Sequence, residues 1–219
     1  FFGTASGFTA ALSIYFSTFF WELVPSQLAI ITMLQAVAAI CAVPVARSFS
    51  SRFDKRRAAL GTFIVILIWG PSLLIARLLG VLPENGDPVL FPMILAHNFT
   101  NLIFVIVFGI MFGSMMADVV EDSAVETSRR SEGIIFAARG FAGKMVTGLG
   151  IMLAGAVLSL INLPKNAQPE NVDPEVLIDL VLFAAPLEAC LYISAFAMMR
   201  RYKISRKKHG QNVEATAQI

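Results

Sequence analysis

The sequence predicts an all-α membrane protein with six transmembrane helices, and three observations carry that prediction. The 219 residues are 57% hydrophobic and only 15% charged, whereas a soluble domain carries about 25% charged residues. Mean hydropathy is +0.73. Six apolar stretches separated by polar, turn-rich pieces each reach the roughly 20 residues that cross hydrocarbon as a helix. A chain this poor in polar side chains cannot cover a water-facing surface, so an ordinary soluble domain is excluded.

The spans fall at residues 2–21, 27–45, 58–79, 89–117, 133–161 and 176–199, followed by a basic tail at 200–219. The first is too long for a signal peptide and lacks its small-residue cleavage site. Trp21 at its end suits an interfacial aromatic belt. The second runs apolar from Gln27 to Val45 and stops before a basic run. The third holds Gly70-Pro71, which is expected to interrupt it. It is closed by PENGDP at 83–88, a turn by its Pro, Asn and Asp content. The fourth carries Pro92 near its start. The fifth is followed by the loop PKNAQPENVDP at 164–174, and the sixth is expected to be interrupted at Pro186. Gly3, Gly7 and Ala11, and likewise Gly150 and Ala154, recur every four residues, a spacing that lets membrane helices approach closely.

Basic residues set the orientation. The loop after the second span holds Arg47, Arg52, Lys55, Arg56 and Arg57, and the loop after the fourth holds Arg129 and Arg130. The tail holds Arg200, Arg201, Lys203, Arg206, Lys207 and Lys208, against Arg77 and Lys165 on the opposite side. The positive-inside rule places those loops and the C-terminus in the cytoplasm of a plasma (inner) membrane. Loop charge thus accounts for the net charge of +2, and no nucleic-acid partner is implied. Cys41 and Cys190 sit inside apolar runs as small packing residues. His209 lies in the tail, so no histidine pair or Cys/His cluster suggests a metal.

Ionisable groups inside spans are functional candidates, because each costs at least about 2.5 kcal/mol to insert. Lys144 stands in GFAGKMVTGLG, which is no phosphate loop: its glycines Gly140 and Gly143 are too close together, and Met145 replaces the required Ser or Thr. At 1.5 Å per residue Lys144 lies on the order of 16 Å into the fifth span, and Glu188 lies at about 18 Å from the same side in the sixth. The matched depths predict that the two interact, directly or through water, as part of a solute and cation pathway or as an ion pair fixing helix register. Arg139 of the fifth span is assigned to the same pathway. In the fourth span His97 and Asn101 share a face, with Asn98 three residues from Asn101. These groups suit the hydroxyls of a polar solute, and serve equally as interhelical hydrogen bonds. The segment ADVVEDSAVETSRRSEG at 117–133 reads as a charged turn. In it Asp118, Glu121 and Glu132 oppose Arg129 and Arg130, an arrangement suited to a cytoplasmic gate of ion pairs. No nucleophile–base pair or cofactor loop points to an enzyme.

The run MMADVVEDSAVETSRRSEGIIFAARGFAGKMVTG at 115–148 resembles the signature spanning the tenth and eleventh helices of the glycoside-pentoside-hexuronide:cation symporters, the melibiose-permease-like family of the major facilitator superfamily. Asp118, Glu121, Glu132 and Lys144 fall on its acidic opening, its resumed helix and its deep lysine, and SSRFDKRRA at 50–58 resembles the family's basic loop between helices eight and nine. Gly109 stands where melibiose-type members carry a tryptophan, and Glu188 stands at a position apolar in that subgroup. The resemblance implies the C-terminal six-helix half of a two-half fold, each half built of two inverted three-helix repeats. It further implies a secondary active symporter that moves a sugar or other small polar solute with Na+ or H+ through the lipid bilayer. By the same resemblance Lys144 borders the solute and cation pathway, and the coupling-cation site lies in an N-terminal six-helix half outside this chain, which starts at Phe1 without a methionine. A lipid-carrying symporter of the superfamily, a dimerising half-size transporter and a non-transporting scaffold or sensor are the other readings.

Overall fold

The computed structural model describes residues 1–127, 132–164 and 172–200. Helix α1 (Phe2–Tyr15) continues as a π-helix over Phe16–Phe20, and is followed by α2 (Pro25–Arg52), α3 (Lys55–Leu78), α4 (Leu90–Thr127), α5 (Glu132–Leu160) and α6 (Pro174–Met199). Among the described residues five helices, α2 to α6, contain segments long and apolar enough to cross a membrane. The first is divided, because at its end the Trp21 amide donates to the Phe16 carbonyl five residues back, at 2.9 Å. Glu22, with φ of 50°, then turns the chain out of helical geometry before Pro25. Proline occupies the first turn of α2 and of α6, where its fixed φ suits the helix and its missing N–H would be unpaired anyway. Asp173 caps α6 by accepting from the Glu175 amide at 3.1 Å.

Two expectations are corrected here. Gly70-Pro71 and Pro186 do not interrupt their helices: α3 and α6 run through them, as α2 runs through Pro44. A proline removes one helical hydrogen bond, whereas ending the helix within hydrocarbon would strand several polar backbone groups. The acidic segment after residue 117 is also no turn at its start, since α4 continues to Thr127. Nothing between Gly113 and Thr127 is a glycine or proline, so no residue there stops the helix.

Packing divides between two seams. Helix α1 packs chiefly on α5, and α4 packs on both α2 and α3. In the first seam the backbones touch: a Cβ on Gly7 would collide with the Thr147 carbonyl, and one on Gly150 would collide with the Thr4 carbonyl and stand 2.7 Å from the Phe8 amide nitrogen. A Cβ on Gly3 would meet Val146 Cγ2 at 2.6 Å. The four-residue glycine spacing therefore does what it predicts. The second seam uses alanine. Ala42 and Ala46 of α2 are buried with Val107, Phe108, Met111 and Met115 of α4 and with Phe63 of α3, whose ring meets Phe108 edge-on at 5.0 Å. The principal pairings persist when the first three helices are exchanged in order with the last three: α1 on α5 becomes α4 on α2, and α1 on α6 becomes α4 on α3. Outward faces are apolar, with Met33, Ile40, Ile68 and Met152 exposed, as a lipid-facing surface requires.

Substituting Gly150 by alanine is expected to destabilise the protein by about 1–3 kcal/mol through overpacking, read as a lower thermal unfolding midpoint in detergent. Gly155→Ala, on the same helix with nothing within 4 Å of its Cβ position, should leave that midpoint in place.

Candidate functional site

Between α1, α2, α3, α4 and α6 lies a cavity of about 370 Å³. Its α1 wall is a hydroxyl stripe of Ser6, Thr9, Ser13 and Ser17, residues three or four apart and so on one helix face. The close approach of α1 to α5 at Gly3 and Gly7 turns this stripe away from α5 and into the cavity. Ser17 falls in the π-helical turn, a feature that often marks functional positions. Gln35 enters from α2, His97, Asn98 and Asn101 from α4, and Glu188 and Tyr192 from α6.

Four residues singled out in the sequence are thus brought together: His97, Asn98, Asn101 and Glu188. The hydroxyl stripe, Gln35 and Tyr192 were missed. The available signal was the Ser/Thr spacing in the first span, but hydroxyls in a helix are readily satisfied by their own backbone, and Ser13 indeed donates to the Ala10 carbonyl at 2.8 Å.

Glu188 does not pair with Lys144. Its Oε1 lies 2.7 Å from Thr9 Oγ1, while Lys144 is exposed on α5 and does not line the cavity. Helix α1 packs against both α5 and α6 and supplies the partner in place of Lys144. An expected match in depth along two helices carries no information about azimuth. Arg139 is not at the cavity either: its guanidinium sits 5.5 Å over the Phe112 ring and joins α5 to α4.

His97 is held by a reciprocal clamp. Its Nε2 lies 2.8 Å from the Trp69 carbonyl, the Trp69 indole donates back to the His97 carbonyl at 3.4 Å, and the two rings stack with centroids 5.2 Å apart. Ser72 Oγ donates to the same Trp69 carbonyl at 2.6 Å. A carbonyl can only accept, so Nε2 carries the imidazole proton. The clamp joins α3 to α4 beside Gly70-Pro71, where the helical bonding of α3 is weakest. One turn further along α4, the Asn101 side-chain oxygen is buried and has no hydrogen-bond partner among the described residues.

At the end of the bundle that carries the basic residues, Lys55 Nζ pairs with Asp118 Oδ1 at 2.7 Å, and Asp118 is only 4% exposed. Arg56 Nη2 donates to the Arg200 carbonyl, placing a cation at the C-terminus of α6, where the helix dipole favours one. Of the expected gate residues, Asp118 is seen with a cation that the expectation did not name. Arg129, Arg130 and the side chain of Glu132 lie outside the described residues, Glu121 is half-buried on α4, and the cation seen on Asp118 comes from the start of α3. At the opposite end Arg77 donates to the Pro83 carbonyl and to Asn85 Oδ1, and Asn85 donates to the Phe20 carbonyl at 3.1 Å. This chain of bonds ties the loop after α3 to the end of the first span.

Lys55→Ala removes one member of an ion pair whose carboxylate is only 4% exposed, and breaking such a pair costs up to about 3–5 kcal/mol. It should lower the thermal midpoint sharply, and adding Asp118→Asn to it should restore most of the loss.

A protein-family model described as "MFS/sugar transport protein" matches residues 1–206. Comparison with curated proteins and with solved structures finds no match. The family match takes in all six helices and the whole cavity, and five of those helices are long and apolar enough to span a bilayer. The chain is accordingly a multi-pass membrane transporter, and it belongs to the MFS/sugar transport protein family of the major facilitator superfamily.

Proposed function

We propose that the protein carries a small polar solute, a glycoside or similar sugar, in symport with a cation by alternating access, with the cavity as its part of the solute site. One observation carries the reading: within an apolar bundle, hydroxyls from α1, amides from α2 and α4 and the Glu188 carboxylate converge on one space of about 370 Å³. That volume lies in the roughly 300–1,000 Å³ range of small-molecule sites, and hydroxyls and amides both donate and accept, as a sugar requires. Asn101 lines this space, and its side-chain oxygen, buried with no partner among the described residues, becomes an acceptor for a solute hydroxyl once the side chain turns toward the cavity.

The packing supports the further reading that these six helices form the C-terminal half of the fold, as two inverted three-helix repeats. The principal pairings survive exchange of the two triplets. Lys144 is exposed in the middle of α5, where contact with lipid would cost at least about 2.5 kcal/mol. A second six-helix half covering that face removes the cost and brings Lys144 to the interface between halves. With basic residues facing the cytoplasm, the Lys55–Asp118 pair then lies at the cytoplasmic end of the pathway in the plasma membrane, and breaking it accompanies opening there.

The test is uptake of radiolabelled methyl glycosides into membrane vesicles under an imposed Na+ or pH gradient. Gradient-driven accumulation is expected, and Asn101→Leu should reduce it about tenfold, the equivalent of about 1.4 kcal/mol, in line with the loss of one buried hydrogen bond. Absence of accumulation under either gradient, or full activity in Asn101→Leu, would count against the reading.

A further inference from the structure

Thr9 Oγ1 stands 2.9 Å from the Ala5 carbonyl oxygen and 2.7 Å from Glu188 Oε1. Both are hydrogen-bond distances. The threonine hydroxyl has one proton to donate, while a carbonyl and an ionised carboxylate have none. With Glu188 ionised, the one proton goes to one acceptor or is shared between two, so at least one of the two short approaches is a weakened bond or a bare contact between oxygens. With Glu188 protonated both are hydrogen bonds: the carboxyl O–H donates to Thr9 Oγ1, and Thr9 donates to Ala5. We propose that Glu188 holds a proton in this conformation and is the proton-binding group of the transport cycle, giving it up when α1 and α6 move apart.

The surroundings agree. The polar side chains that α1 brings to the cavity are hydroxyls, from α2 the Gln35 amide shares the cavity, and α3 contributes apolar wall with Gly70 and Pro71. On α6 itself the nearest titratable group is Tyr192, one turn on. Across the cavity on α4 stands His97, whose Nε2 proton is engaged by the Trp69 carbonyl. Arg139 of α5 is over Phe112, and Lys144 lies outside the cavity. Among the described residues no cation is within ion-pair reach of Glu188, so a proton is the neutralising partner at hand, and a bare charge within a membrane is costly. Release is simple in its chemistry: the carboxyl O–H breaks, water admitted to the cavity takes the proton, and Thr9 turns its own proton from Ala5 to the carboxylate. The inference rests on the transport reading, and it places a coupling site within these six helices in addition to any site elsewhere.

The experiment labels the full-length protein in its membranes with the hydrophobic reagent dicyclohexylcarbodiimide, which adds to a protonated carboxyl to give a stable acylurea. Peptide mass then locates the label. At pH 7 a carboxyl with the ordinary glutamate value of about 4.3 is ionised and unreactive. Labelling of Glu188 at pH 7 is expected, falling at least tenfold by pH 10. No label on Glu188 at pH 7, or equal label at both pH values, would overturn the proposal. In proteoliposomes given a methyl glycoside, Glu188→Gln should lose pH-driven accumulation at least tenfold, and accumulation at the wild-type level would also overturn the proposal. A wild-type protein that moves no glycoside would instead count against the transport reading, because the labelling reports on the carboxyl whether or not solute moves.

Discussion

The crossing of α1 and α5 at Gly7 and Gly150 is the constraint on which most of the interior depends. A helix can be rotated about its axis at little cost until something fixes it, and here two glycines fix it by allowing backbone to meet backbone. Once that face of α1 is committed to α5, the hydroxyl stripe from Ser6 to Ser17 points into the cavity. Thr9 is then held within hydrogen-bond distance of Glu188. Dispersion rather than the hydrophobic effect holds such a seam inside lipid, and dispersion is strong only at contact distance. The smallest side chains in the sequence thus position the most polar ones.

On the far wall the same task falls to polar contacts. Gly70-Pro71 loosens α3, and the Trp69–His97 clamp stiffens the pair of helices beside it. The two walls differ in how much each can give. The glycine seam has no side chains to rearrange, while the clamp is a pair of hydrogen bonds and a ring stack that water or a solute hydroxyl can replace. At one end the Lys55–Asp118 pair again joins α3 to α4, and at the other the Arg77–Asn85–Phe20 chain of bonds ties the loop after α3 to the end of the first span.

Much of this was legible in the sequence where the information is local. Apolar length gave the helices, and four-residue glycine spacing gave the close seam. A polar residue inside an apolar run stands out by itself, so His97, Asn98, Asn101 and Glu188 were found one at a time. Partnerships were harder. Lys144 and Glu188 are expected at one depth, but which way each points depends on how α1 packs on both of their helices. Lys55 and Asp118 lie 63 residues apart in sequence, and Arg129 and Arg130 were the nearer cations. The hydroxyl stripe was hidden for a different reason, since serine and threonine in a helix look the same whether they serve their own backbone or a cavity. Proline misled in the opposite direction, because a membrane raises the cost of ending a helix above the cost of one missing bond.

The exchange relation between the two triplets of helices has an energetic consequence. An arrangement whose main pairings survive swapping its halves has a twin, in which each triplet takes the shape the other had, and on backbone grounds alone the twins are degenerate. Side chains lift that degeneracy. The α1–α5 crossing is a glycine seam beside a row of hydroxyls on α1, and its counterpart, the α2–α4 crossing, is an alanine seam beside an imidazole and two amides on α4. The difference between those two sets is small in composition, and it is the quantity that decides which twin is populated when the cavity is empty and how far a bound solute must tilt the balance.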